Sequence, residues 1–201
     1  MSRVFFTSDP HLEHEHVATT RGFSTTAAHD AELAYRWDAT VRPEDDVWVT
    51  GDVCVGGSAL TKRALEWVNR RPGVKHLVPG NHCRVHPHNR DAHRWQRTYL
   101  EVAFESVQPF ARRRIDGQDV LLSHFPYVGD SGPYDRYTQY RLPCEGLPII
   151  HGHTHSRSRF STATYGPAEI PVPQVHVGVD AWDGYPVRLE AVAEVLRLAA
   201  L

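Results

Sequence analysis

Lysine is nearly missing from this chain. Of its 22 basic residues only Lys62 and Lys75 are Lys, and Met occurs once. There are three cysteines (Cys54, Cys83 and Cys144) and no CxxC pair, which excludes a disulfide scaffold or a Cys-rich zinc finger. No run approaches the ~18 apolar residues of a membrane span. The N-terminal MSRVFFTSDP has no apolar signal-peptide core, so the sequence predicts a cytoplasmic protein with reduced thiols. A net charge of -2 gives neither long nucleic acid nor an anionic membrane an electrostatic reason to bind. Walker, GxGxxG, GxSxG and HExxH motifs are missing too. What remains is 201 residues, 41% hydrophobic and 23% charged, enough for one domain over 1–201 with a real core. The excess that needs explaining is 14 histidines.

The apolar pattern predicts short strands divided by helices. RVFFTS (3–8) reads as a buried strand running into Asp9-Pro10. Leu33, Trp37 and Val41 recur four apart in a helix over 27–41, and 59–71 carries Leu60, Ala64, Leu65 and Val68 at helical spacing. Strands are expected at 45–52 and 74–82, while 83–98 is polar without clear periodicity. Strands at 102–108 and 110–115 precede Asp116-Gly117, a hairpin turn into DVLLSHFP (119–126). Residues 127–146 read as a long surface excursion. Strands at 147–155 and 173–180 and a helix at 188–200 complete the chain.

Five of these strands end in Asp, Asn or His: Asp9 and His11, Asp52, Asn81 and His82, His124, then His151, His153 and His155. Neighbouring strand ends of an α/β fold can converge, so the pattern predicts one cluster of oxygen and imidazole donors. Such donors without thiolate suit Mn, Fe, Zn, Ni or Co. A two-metal centre needs an anionic bridge, and Asp52, alone after Gly51, is placed for it. Taken singly, Gly51-Asp52, Asp9-x-His11 or Asn81 after Pro79-Gly80 reads as a turn. Together and in this order they read as a site.

SDPH, TGD, PGNH, LSHFP and HGHTH, in that order, resemble the calcineurin-like metallophosphoesterase superfamily over nearly the whole chain. The small single-domain bacterial and phage members are the nearest in form, through Asp9-x-His11-x-x-His14 and the late VHVGVDAWDGYPV (175–187). The resemblance implies a four-layer α/β/β/α sandwich of two mixed sheets with a dimetal site at strand-end loops. It assigns Asp9, His11 and His155 to one divalent ion, and Asn81, His124 and His153 to the other, with Asp52 bridging and manganese the first choice of metal. It also implies phosphoester hydrolysis by a metal-bridging hydroxide, with His82 as acid or charge stabiliser.

Two departures bear on function. Cys83 stands where the family usually has an acidic residue after the histidine, which points to a thiol open to oxidation near the metals. Val53-Cys54-Val55-Gly56-Gly57 follows Asp52 in place of the Asp-x-x-Asp-Arg of phosphoprotein phosphatases, so a protein phosphatase is disfavoured. A phosphodiester or small phosphomonoester, nucleotides included, is the expected substrate. His14 and Arg84 are candidate substrate contacts, within a His82–Arg97 stretch that reads otherwise as a solvated basic face. Aromatic residues from Phe125 to Tyr140 are candidate base-stacking groups. The alternative function is a non-catalytic metal-binding scaffold of the same fold.

Overall fold

The computed structural model describes residues 2–199. Its strands are β1 (Val4–Thr7), β2 (Asp46–Val49), β3 (Val74–Leu77), β4 (Ser106–Val107), β5 (Ala111–Ile115), β6 (Gln118–Leu122), β7 (Ile149–His151), β8 (Phe160–Tyr165), β9 (Ile170–His176) and β10 (Val187–Arg188). The helices are α1 (Glu15–Thr20), α2 (Thr26–Thr40), α3 (Ser58–Asn69), α4 (Ala92–Val102) and α5 (Leu189–Ala199). Residue 200 of the expected last helix lies outside the described residues. No helix among them is long and apolar enough to cross a membrane.

Two mixed five-stranded sheets form, in the orders β10-β1-β2-β3-β4 and β5-β6-β7-β9-β8. In the first, β1 to β4 are parallel and β10 is antiparallel to β1. In the second, β6, β7 and β9 are parallel, flanked by antiparallel β5 and β8. Strand alternation divides the core as the period of two requires. Phe5, Val47, Val49 and Leu77 face Leu33 and Trp37 of α2, Leu65 and Val68 of α3, and Tyr99 of α4. Phe6, Trp48 and Val78 point the other way, onto Val120, Leu122, Ile150 and Val175 of the second sheet, in a cluster that Val192 and Leu196 of α5 complete. On the far face of the second sheet, Ile149 and Val172 are covered by Tyr127, Leu142 and Cys144 of the excursion.

Three elements differ from expectation. Helix α4 takes the second half of the aperiodic stretch and runs on to Val102, the first residue of the supposed 102–108 strand. Its inward face is Tyr99, flanked by the partly buried Trp95 and Val102, and the strand shrinks to Ser106–Val107. The single turn-and-a-half of α1 is capped by His14, whose Nδ1 accepts the Val17 N–H at 3.3 Å. The third is the β8–β9 hairpin; β8 went unread because five of its six side chains are exposed and show no alternation of polarity.

Parallel register decides where the loops go. Val4, Asp46 and Val74 lie side by side, so β1, β2 and β3 all empty at one edge. In the second sheet β6, β7 and β9 also run parallel and end together. A parallel bridge between Ser8 and Gly178 ties the two edges to each other.

Candidate metal centre

The β1 loop runs alongside the β2 loop. Asp9 N–H donates to Gly51 O at 3.1 Å, His11 N–H to Asp52 O at 3.1 Å, and Leu12 N–H to Val53 O at 2.9 Å. On the other sheet, Gly152 N–H donates to His124 O at 3.0 Å, which seats the β7 loop against the end of β6. Across the seam, His153 N–H donates to Asp9 Oδ2 at 3.0 Å. These bonds bring side chains distant in sequence into two groups, Asp9–His11–His155 and Asp52–His124–His153. Each group's ligand-type atoms all lie within 4.8 Å of one another.

Asp52 lies between the groups. Its Oδ2 is 3.8 Å from His11 Nε2 and 3.4 Å from His124 Nε2, while Oδ1 accepts the His82 N–H at 2.8 Å. Asn81 joins the second group, with its Oδ1 3.2 Å from His124 Nε2. All the residues of the two groups are buried except His155, which is half-buried. Burying two carboxylates is costly unless a cation compensates. Among the described residues, Asp9 and Asp52 have only histidines as ion-pair partners, with no Lys or Arg. Asp9 Oδ1 and both ring nitrogens of His11 are buried with no hydrogen-bond partner. Such orphaned donors facing one another fit a divalent cation, and the O/N set without thiolate fits Mn, Fe, Zn, Ni or Co.

The protonation pattern agrees. Burial pushes His11 down to about 3 and His153 down to about 4, so both rings are neutral with a free lone pair. At His124 burial again opposes charge, but the Asp52 carboxylate outweighs it and pushes the ring up to about 9. Burial likewise opposes ionisation of Asp52, yet His124 and His11 hold it well below the usual carboxylate range.

Backbone conformation marks the same residues. Asp9 (φ 58°), His11 (φ 48°), Asp52 (φ 44°), His153 (φ 68°) and His155 (φ 52°) are left-handed, a region that costs a non-glycine residue of order 1–3 kcal/mol. Strain gathered on five candidate ligands is kept only where the surroundings over-determine it.

His82 lies at the open side of the pair. Its side chain is 40% exposed, its Nε2 is 4.0 Å from Asp52 Oδ2, and its ring centroid is 5.6 Å from that of His11. The His14 ring is edge-on to His11 at 5.9 Å, so it flanks the site. Arg84 turns away from the site: it bonds Asp91 at 2.6 Å and lies over the Trp95 ring, so its charge is used inside its own loop. His86 is buried between Phe125 and Tyr140, a wall behind the second group. Phe125 and Tyr137 stack on each other, and Phe125 packs edge-on to His153 at 4.8 Å, so these rings brace a candidate ligand.

Cys83 is the clearest correction. It is fully buried in the helix-side core, and burial pushes its thiol well above the ordinary range, the opposite of a reactive thiolate. Mild peroxide followed by peptide mass mapping is therefore expected to modify the half-exposed Cys144 before Cys83. Early Cys83 oxidation would contradict this packing.

Sequence reasoning missed two acids. Asp180 Oδ2 accepts from His155 Nδ1 at 3.0 Å, and the Arg21 guanidinium donates to its Oδ1 and Oδ2, each at 2.8 Å. Asp130 Oδ2, on the excursion, accepts from His153 Nε2 at 3.0 Å. Asp180 lies in the VHVGVDAWDGYPV segment and Asp130 in no motif, and only chain folding pairs them with histidines more than twenty residues away.

No family model matches the chain. It is 48% identical over 187 residues to the Gene 66 protein of Mycobacterium phage D29, covering 90% of each chain. It is 44% identical over 190 residues to the Gene 66 protein of Mycobacterium phage L5, covering 90% of this chain and 88% of that one. Among solved structures, the protein of unknown function AQ665 from Aquifex aeolicus superposes with a TM-score of 0.69 at 19% identity. That match covers 97% of this chain and all of the other, a likeness of fold alone.

Proposed function

We propose, for a chain that belongs to the family of the mycobacteriophage Gene 66 proteins, the activity of a metal-dependent phosphoric ester hydrolase of calcineurin-like type. The observation that carries this reading is the pair of buried donor groups with Asp52 between them. Asp9, His11 and His155 would hold one divalent ion, and Asn81, His124 and His153 the other, with Asp52 shared and Mn the first candidate. Bound there, two such ions supply Lewis acidity, acidifying water and polarising phosphoryl oxygens. The four-layer sandwich and the single domain over 1–201 enter as parts of this proposal, with the excursion and its short turn at Thr138–Tyr140 in the fourth layer's place.

The chain's own residues do the remaining work. His124 donates its Nδ1–H to Thr50 O at 2.8 Å, which leaves Nε2 to face Asp52 and Asn81. Gly80 lets the loop close tightly, since a side chain there would collide with Asp52 Oδ1 and come within 2.6 Å of His124 Cε1. His82 is held by its backbone N–H at Asp52 while its ring stays open to solvent, the placement needed to give a proton to a departing ester oxygen. A cavity of about 690 Å³ with His155 in its wall, lined also by Val17, Phe23, Leu33 and Arg157, offers room for the alcohol portion of a small ester. A phosphodiester or small phosphorylated metabolite fits that space better than a phosphoprotein or a long nucleic acid.

The test is hydrolysis of bis-p-nitrophenyl phosphate against p-nitrophenyl phosphate by chelator-stripped protein, with and without Mn(II). Turnover is expected only with metal and to be faster on the diester. His82→Ala should lower kcat by about 10²- to 10⁴-fold, the range of one general acid–base group, with Mn(II) binding retained. Metal binding without turnover of either ester would favour a scaffold.

A further inference from the structure

The candidate ligands of the β7 loop are two histidines one residue apart, His153 and His155, on a turn in which both are left-handed. A ring in such a turn has no strand or helix to fix its rotation. A neutral imidazole that binds a metal has one N–H left over, and the acceptor of that N–H sets tautomer and ring plane.

Each ring has such an acceptor, and the two are independent. His155 gives Nδ1–H to Asp180, which lies in the short turn after β9 and is itself held by Arg21. Arg21 also donates to the backbone carbonyls of Asp9 (2.8 Å) and Pro10 (3.0 Å), so one guanidinium ties Asp180 to the loop carrying the other candidate ligands of that group. His153 gives Nε2–H to Asp130. The remaining lone pairs of Asp130 are filled by Ser131, by the N–H and guanidinium of Arg136, and by Arg141. Its side chain is fully shielded although it sits on an otherwise exposed segment. A solvated loop has no use for a shielded carboxylate aimed at a buried histidine.

We infer that Asp180 and Asp130 are positioning residues, each orienting one histidine of the pair and thereby serving one metal position each. The inference rests on the metal-centre reading above. It makes the 127–146 segment a built part of the second position: its Asp130 carboxylate reaches His153 while Tyr137 stacks on Phe125 beside the same ring.

The test is Mn(II) titration of the stripped full-length protein by calorimetry, with the electron paramagnetic resonance spectrum recorded at two equivalents. Wild type is expected to show two binding steps and a spin-coupled spectrum. Asp180→Asn should weaken one step about 10- to 100-fold and Asp130→Asn the other, each giving a six-line mononuclear spectrum at limiting metal. Leu142→Ala loosens the packing of the excursion on the second sheet without removing a hydrogen bond of Asp130 or His153, and should leave both steps in place, which separates ring orientation from loop stability. Two unchanged steps in both Asn variants would overturn the inference and leave the metal reading standing. A wild-type protein that binds no Mn(II) would remove the metal reading itself, and the inference with it.

Discussion

Asp52→Asn is expected to cost at least about a thousandfold in kcat while leaving the fold intact. Asn has the same shape and keeps an acceptor for the His82 N–H at the Oδ1 position, so the loop after β2 has no steric reason to move. What disappears is the negative charge at Oδ2, which lies 3.8 Å from one histidine group and 3.4 Å from the other. Asp9 Oδ1 also lies 4.0 Å from His11 Nε2 and 4.0 Å from His124 Nδ1, but Asp52 comes closer to both groups. Two cations held close together repel, and only a shared anion offsets that. Losing about 4 kcal/mol of transition-state stabilisation is about three powers of ten in rate. The measurement is single-turnover hydrolysis of bis-p-nitrophenyl phosphate at saturating Mn(II), beside the thermal midpoint and metal stoichiometry. A variant that binds two ions and turns over like wild type would sink the assignment of Asp52.

The parts of this centre that were legible in sequence share a physical cause. Short strands of Phe, Val and Trp followed at once by Asp, Asn or His are strand ends, and in a mainly parallel sheet strand ends meet. Asp9, Asp52, Asn81 and His124 were readable on that ground alone, before geometry placed them together. Helix α4 was hidden because its inward stripe, Trp95, Tyr99 and Val102, is diluted by His93, Arg94 and Arg97. The β8–β9 hairpin was hidden for the opposite reason, an edge strand with too little burial to impose alternation. Pro171 and Pro173 further disguise β9. They are tolerated because β7 pairs only with Gln174, Val175 and His176, so the missing N–H groups break no bond on that side. The pairing of Asp130 with His153 and of Asp180 with His155 could not be read, since it is set by how the excursion and the turn after β9 close. Arg84 shows the converse error: a cation near a motif reads as a substrate contact until a neighbour seven residues on, Asp91, claims it.

Gly152→Ala should be the most damaging single methyl in the chain. The residue lies where the two sheet edges meet, and a Cβ there would collide with Ser8 Oγ and Asp9 Oδ2 and stand 2.7 Å from Ser8 Cβ. None of these atoms is free to yield. Ser8 Oγ donates to Thr50 O at 2.9 Å, the Ser8 backbone bridges to Gly178, and Asp9 Oδ2 accepts from His153 N–H. Overpacking in a close-packed interior costs typically about 1–3 kcal/mol, and with every neighbour bonded the upper end applies. At roughly 2–4 °C per kcal/mol for a domain of this size, the midpoint should fall by about 6–12 °C. The same methyl displaces the Asp9 carboxylate, so Mn(II) should lose its binding step at the Asp9–His11–His155 group even below the melting range. Gly132→Ala, where nothing lies within 4 Å of the added atom, is the matched control and should change neither quantity. Equal midpoints and equal metal binding for the two variants would show that the seam between Ser8 and Gly152 is looser than its hydrogen bonds require, and that Asp9 is not held where the centre needs it.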